Sequence, residues 1–366
     1  MKKPFEQDEK QMPVFGLIGR YRTALMGFAA LWVYYFHVLP VGLFEGTFLQ
    51  ETEWFLHRVG FCGVDMFFLL SAYGLYHRFS SRPIDGVAAY GRYLGQRLLR
   101  IYPVIVPVAV LVALADNLPF RSLIPRLTFY DSFAVNIYKF LWFVPCILIL
   151  YLLVPFYDRL FRHRVSRGEP DGKSGICFTA VAIAVVLALG LALKGILRPD
   201  LYALYSRIPV FCIGHLFGHL SGIRTSPVTR SKGAWGIALL LLTTGNVLSY
   251  LLHRGLIPEF YPMANALCNV LIAPPVTCFF TYLFSQCERT RFSKWLIRIF
   301  AFFGTVSLEF YALQEWVWEK VQLLRFNPVR LHLLCFLIVV IGACGLHTLV
   351  TTARGQRRDQ DGENEK

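Results

Sequence analysis

The sequence predicts an all-α, polytopic membrane protein with about ten transmembrane helices and both termini in the cytoplasm. Three observations carry that expectation. Of the 366 residues 55% are hydrophobic and only 16% are charged, with a mean hydropathy of +0.49, a composition suited to lipid. Apolar runs long enough to cross a bilayer recur along the whole chain, and they are continuous instead of alternating as in a β-barrel. Placing the N-terminus inside puts well over half of the 37 Lys and Arg residues on the cytoplasmic side, as the positive-inside rule requires. The net charge of +14 then reflects topology and attraction to anionic lipid headgroups, not a nucleic-acid partner.

The first span, Thr23 to Val41, follows a cytoplasmic segment, residues 1–22, that carries Lys2, Lys3, Lys10, Arg20 and Arg22. It starts too late and runs too long for a cleaved signal peptide, so it reads as an uncleaved span. Val59 to Phe79 comes next, then Ile101 to Asp116, which Arg92, Arg97 and Arg100 precede. Tyr138 to Tyr157, Gly175 to Leu193, Ile208 to Ile223 and Ala234 to His253 make up the middle of the bundle. In Met263 to Phe284 the pair Pro274-Pro275 is expected to interrupt the helix, while Pro103, Pro107, Pro145 and Pro209 kink others. Kinked helices can line a polar cavity. Ile297 to Trp318 and Leu331 to Val350 complete the set, ahead of a polar cytoplasmic tail, residues 351–366, expected to be disordered. Residues 23–350 thus form one transmembrane domain. The nine cysteines lie mostly inside the spans with no close CxxC pair, which suits small core-filling thiols.

The leading functional candidate is His37, which closes the first apolar run. A titratable side chain at membrane depth is costly, and chains keep one where it has work to do. An imidazole titrates near neutral pH, so it suits general-base chemistry or, alternatively, first accepts the acyl group itself. Asp65 lies well inside the second span and Glu309 inside the ninth. Either carboxylate orients His37 by accepting its other ring proton, or pairs with a buried arginine such as Arg207 and holds helices together. Arg97 and Arg100 stand at i, i+3 on one helix face, a geometry suited to clamping phosphates. His215 and His219 stand at i, i+4, but two imidazoles without an HExxH glutamate favour interhelical hydrogen bonding over a metal, and no metal is expected.

Several strings coincide in order and spacing with one family. They are Phe36-His37 at the end of the first span, Cys62-Gly63-Val64-Asp65-Met66-Phe67-Phe68-Leu69-Leu70-Ser71-Ala72-Tyr73-Gly74-Leu75-Tyr76, and Arg97-Leu98-Leu99-Arg100-Ile101-Tyr102-Pro103. Leu141-Trp142-Phe143-Val144-Pro145, Arg207-Ile208-Pro209-Val210-Phe211-Cys212-Ile213-Gly214 and Ser307-Leu308-Glu309-Phe310-Tyr311 follow downstream. The ordered set, which covers nearly the whole chain, resembles the acyltransferase 3 family of integral-membrane O-acyltransferases.

The resemblance implies transfer of an acyl group, usually acetyl, from cytoplasmic acyl-CoA to a hydroxyl of a cell-surface or lipid-linked glycan, at the plasma membrane. Acetyl-CoA enters as co-substrate, with Arg97, Arg100 and Arg22 as its expected holders. No fused soluble domain is expected, so the chain acts alone or hands its acyl group to a separate extracytoplasmic transferase. Two positions depart from the family pattern. The family's arginine eleven residues before the histidine is Met26 here, and the nearest replacement, Arg22, falls on roughly the same helix face as His37. Gln314 stands where many relatives have a histidine. Trp142 matches a family landmark and is a candidate cavity wall. A transporter or flippase using the same kinked helices is the alternative reading. The absence of a repeat that superposes the two halves weighs against it.

Overall fold

The computed structural model describes residues 14–37, 44–130, 141–166, 172–193, 201–223, 232–256, 261–288, 290–324 and 326–364. Among them every regular element is helical. Helix α1 (Val14–His37) is followed by α2 (Gln50–Arg58) and, through the 3-10 turn Val59–Phe61, by α3 (Cys62–Ser81). Next come α4 (Gly86–Ala115), the short α5 (Leu123–Leu127), α6 (Phe143–Val165), α7 (Lys173–Ala192) and the single turn α8 (Tyr202–Tyr205). The rest is α9 (Ile208–Leu220), α10 (Lys232–His253), α11 (Tyr261–Cys287), α12 (Arg291–Thr305), α13 (Ser307–Val321) and α14 (Pro328–Asn364).

Among the described residues seven helices are long and apolar enough to cross a bilayer, and the bent pair α12 and α13 makes an eighth if counted as one span. The chain is a multi-pass membrane protein. Each expected span has a helical counterpart, and the two that fall short do so for physical reasons. In α1 the charges of Arg20 and Arg22 lower the mean hydropathy, and residues 38–41 lie outside the described residues. At 13 residues, α9 reaches only about 20 Å at 1.5 Å per residue, less than a bilayer core.

Other expectations are corrected. The helix is not interrupted at Pro274-Pro275, because α11 runs through both. Pro145 and Pro209 sit in the first turns of α6 and α9, where a missing N–H costs no intrahelical bond. The expected span Ile297 to Trp318 is instead broken by a bend of 76°. Val306, at φ −101° and ψ 14°, leaves the helical region there. On either side, the Thr305 hydroxyl donates to the Phe302 carbonyl at 2.7 Å and the Ser307 hydroxyl to the Gly304 carbonyl at 3.0 Å, local bonds that compete with the helical ladder. Before the bend, α12 exposes Arg291, Lys294 and Arg298 on one face. At the C-terminal end α14 continues through the polar tail to Asn364, which was expected to be disordered.

The core is built around α1. Ile18, Leu25, Ala29 and Val33 are fully buried in it, and α1 packs against α3, α11, α12 and α13. The crossing with α12 is backbone to backbone. A Cβ at Gly27 would collide with the Phe300 carbonyl, and one at Gly304 with the Thr23 carbonyl, so only small residues permit this approach. That contact fixes where α13 leaves the bend, and so which of its residues meet the end of α1.

Candidate active site

His37 is the last residue of α1, and two consecutive residues of α13 bracket its ring. Gln314 Nε2 lies 3.1 Å from His37 Nδ1, and Glu315 Oε1 lies 3.0 Å from His37 Nε2. A carboxylate only accepts, so the proton of a neutral ring sits on Nε2 and the Gln314 amide donates to Nδ1. If the ring gains a second proton, the amide can turn and offer its oxygen instead, and the carboxylate then faces a cation. The pair therefore supports both protonation states of the imidazole. Gln314 is buried at 1% exposure, while the Glu315 side chain is 45% exposed and that of His37 20%. One ring nitrogen thus looks into the protein and the other toward its surface.

A small cavity lies one helical turn along α13 from this group. Its wall includes Arg22 and Met26 from α1, Ser71 from α3, Arg100 from α4, and Ser307 and Tyr311 from α13. The centre of a water molecule has about 60 Å³ in which to move there, room for a thin chain but not for a nucleotide. His37 is not on the wall. Ser307, Tyr311, Gln314 and Glu315 share one face of α13 at i, i+4, i+7 and i+8, so the cavity wall at Tyr311 and the first contact to His37 are one helical turn apart. Along α1, Arg22 and His37 are separated by about 22 Å at 1.5 Å per residue.

At the other end of the cavity, Arg22 Nε donates to the Leu70 carbonyl at 2.9 Å, which holds its guanidinium against α3 at Gly74. Arg22 and Met26, one turn apart, face the same space. The Arg97/Arg100 pair splits. Arg100 lines the cavity, whereas the Arg97 guanidinium packs 5.4 Å from the Tyr93 ring and 5.4 Å from the Tyr151 ring. Among the described residues no carboxylate forms an ion pair with Arg22, Arg97 or Arg100.

A match to the family model described as an acyltransferase domain covers residues 24–349. The chain belongs to the acyltransferase 3 family. No curated protein and no solved structure matches it. It is a membrane acyltransferase, and the sequence landmarks of this acyltransferase can be followed into three dimensions.

Of the two alternatives for Asp65 and Glu309, a place behind His37 or an ion pair between helices, the structure of this acyltransferase has the second. Asp65, fully buried, lies 3.1 Å from Arg207 Nε, and the Arg207 guanidinium sits 5.0 Å from the Trp142 ring. The Trp142 ring thus flanks that buried ion pair, and it does not line the cavity. Glu309 meets His347 of α14 at 2.9 Å, because it lies on the face of α13 opposite Ser307 and Tyr311. The acid that does meet the histidine is Glu315. It sits among Trp316, Glu319 and Lys320 at the end of a predicted span, where an acidic residue looks unremarkable; its i+4 spacing from Tyr311 was the one available signal.

His215 and His219 make separate interhelical bonds. His215 Nε2 is 2.8 Å from Asp158 Oδ1, Asp158 also takes Arg162 at 2.7 Å, and His219 Nδ1 is 3.1 Å from the Tyr76 hydroxyl. These bonds tie α3, α6 and α9 together. Asp158, half of the ion pair at their centre, went unnoticed in the sequence because it ends an ordinary apolar run.

Proposed function

We propose that this acyltransferase transfers an acetyl group from cytoplasmic acetyl-CoA to a hydroxyl of a cell-surface or lipid-linked glycan. The proposal includes a plasma-membrane location, about ten crossings when α1 and α9 are counted, and both termini in the cytoplasm. One observation carries it: a single helix face runs from the arginine-lined cavity to a histidine whose two ring nitrogens are held by an amide and a carboxylate.

On this reading Arg22 and Arg100 hold the diphosphate of the donor at the cavity mouth, where forked guanidinium hydrogen bonds suit phosphate oxygens. The pantetheine arm threads the narrow space and brings the thioester past Tyr311. An acceptor hydroxyl displaces the Gln314 amide at His37 Nδ1 and gives up its proton there as its oxygen attacks the thioester carbonyl. Glu315 stabilises the imidazolium that forms, in the role a carboxylate plays behind a catalytic histidine. The proton then leaves with the coenzyme A thiolate, and the cofactor never crosses the membrane.

Sealed liposomes containing the full chain test this. With labelled acetyl-CoA supplied only on the side of the arginine mouth and a glycan acceptor only on the other, label is expected on the acceptor and free coenzyme A on the donor side. Passage of an intact substrate without dependence on acetyl-CoA would favour transport and contradict the proposal.

A further inference from the structure

Helix α4 carries Pro103 in its interior, so the carbonyl four residues earlier, that of Leu99, has no backbone N–H to accept from. In a membrane helix such a freed carbonyl needs another donor. It comes from the far end of the chain. Arg354, where the apolar part of α14 ends, donates from Nη2 to the Leu99 carbonyl at 2.7 Å and to the Arg100 carbonyl at 3.3 Å. Among the described residues Arg354 makes no other side-chain hydrogen bond and has no carboxylate at ion-pair distance. An arginine that serves only as positive charge at a helix end is free to face water, whereas this one is turned onto the backbone of a neighbouring helix. Its guanidinium stands in for the N–H that proline lacks.

The bond falls where it bears on the cavity, because the stretch of backbone it holds is the one that carries Arg100 onto the cavity wall. Helix α14 is tied a second time on the same face. His347, seven residues before Arg354 and therefore in line with it, meets Glu309 of α13 at 2.9 Å. The opposite face of α13 supplies Ser307 and Tyr311 to the cavity. Among the described residues α14 itself contributes nothing to that wall. It bonds instead to α4 through Arg354 and to α13 through His347, and each of those helices forms one side of the cavity.

We infer that Arg354 is a positioning residue for donor binding: it closes the gap that Pro103 opens in the α4 hydrogen-bond ladder and, with His347, makes α14 a strut that sets Arg100 against Tyr311. The inference rests on the donor proposed above. Without the bond the turn before Pro103 is free to swing at the kink, and the Arg100 guanidinium loses its fixed place on the wall.

A double-mutant cycle on the full chain in nanodiscs tests this, with acetyl-CoA affinity, turnover and thermal unfolding as readouts. Arg354→Leu is expected to weaken acetyl-CoA binding about tenfold, the size of one hydrogen bond to a charged group, with kcat within about threefold of wild type. Pro103→Ala returns an N–H to the Leu99 carbonyl. In that background Arg354→Leu is expected to weaken binding less than about twofold and to lower Tm by less than it does in the wild-type chain. Arg354→Lys, which keeps the charge but not the planar fork, recovers only part of the loss. Full recovery in Arg354→Lys, or an equal loss in both backgrounds, assigns the effect to charge near the cavity and overturns the inference. Coupling in Tm with donor affinity unmoved leaves the bond a structural one, which overturns the positioning role and leaves the donor standing. Wild-type protein that binds no acetyl-CoA overturns the donor and the positioning role with it.

Discussion

Glu315 places a carboxylate oxygen 3.0 Å from Nε2 of His37, on a helix that the bend at Val306 turns by 76° from α12. The contact joins the C-terminal end of the first helix to a residue 278 positions later, and its consequence is chemical: a carboxylate behind an imidazole fixes the tautomer and steadies its charged form. Glu315→Gln is accordingly expected to lower kcat by about tenfold to a hundredfold while leaving the KM for acetyl-CoA within about twofold. Steady-state kinetics at saturating acceptor check this. Equal loss in kcat and donor affinity would mean that Glu315 supports the fold instead.

Gln314 holds the neutral ring before the acceptor arrives and can accept from the charged ring once the acceptor oxygen has left, which a leucine of similar size cannot. Gln314→Leu should cost about tenfold or more in turnover, with little change in folding yield, since it removes a buried amide whose Oε1 has no partner in any case. Turnover set beside the elution profile of the solubilised protein distinguishes lost chemistry from lost structure.

The cavity is wide enough only for a thin arm, so a bulky side chain on its wall should separate binding from transfer. Ser71→Phe is expected to cut acetyl transfer by about a hundredfold while adenosine 3′,5′-diphosphate, which lacks the arm, still binds with affinity within about threefold of wild type. Parallel transfer and nucleotide-binding assays read both effects.

The Asp65–Arg207 pair is buried at the Trp142 ring. Asp65→Leu leaves a buried guanidinium unpaired, a loss of about 3–5 kcal/mol. Adding Arg207→Met should recover much of it. Thermal unfolding of the detergent-solubilised variants checks the sign, and a double variant less stable than Asp65→Leu would contradict a structural role.

Much of this arrangement was legible in the sequence because it is local. The length of the apolar runs located a helix at every expected span, and helical spacing put Arg22 and Met26 on one face, where both line the cavity. A lone buried acid at Asp65 called for a cation, and Arg207 was the candidate named. What stayed hidden depends on contacts between distant segments. The bend falls at Val306, a non-helical residue between two hydroxyl side chains that bond back to the preceding turn, within a run whose hydropathy is that of a single span. Only after that bend does Glu315 reach His37, so nothing in the neighbourhood of Glu315 announces it. Glu309, in a matching motif and deeper in the span, was one of the two acids weighed as a partner for His37, but it faces α14. Arg97 and Arg100 share a helix face by spacing, yet neighbouring tyrosines draw one of them away from the cavity.

The central claim is that His37 takes the acceptor proton, and its most direct test is acetyl transfer by His37→Ala in nanodiscs with saturating labelled acetyl-CoA. Transfer is expected to fall by about a thousandfold or more while acetyl-CoA still binds with wild-type affinity. Transfer at an unaltered rate would contradict the account.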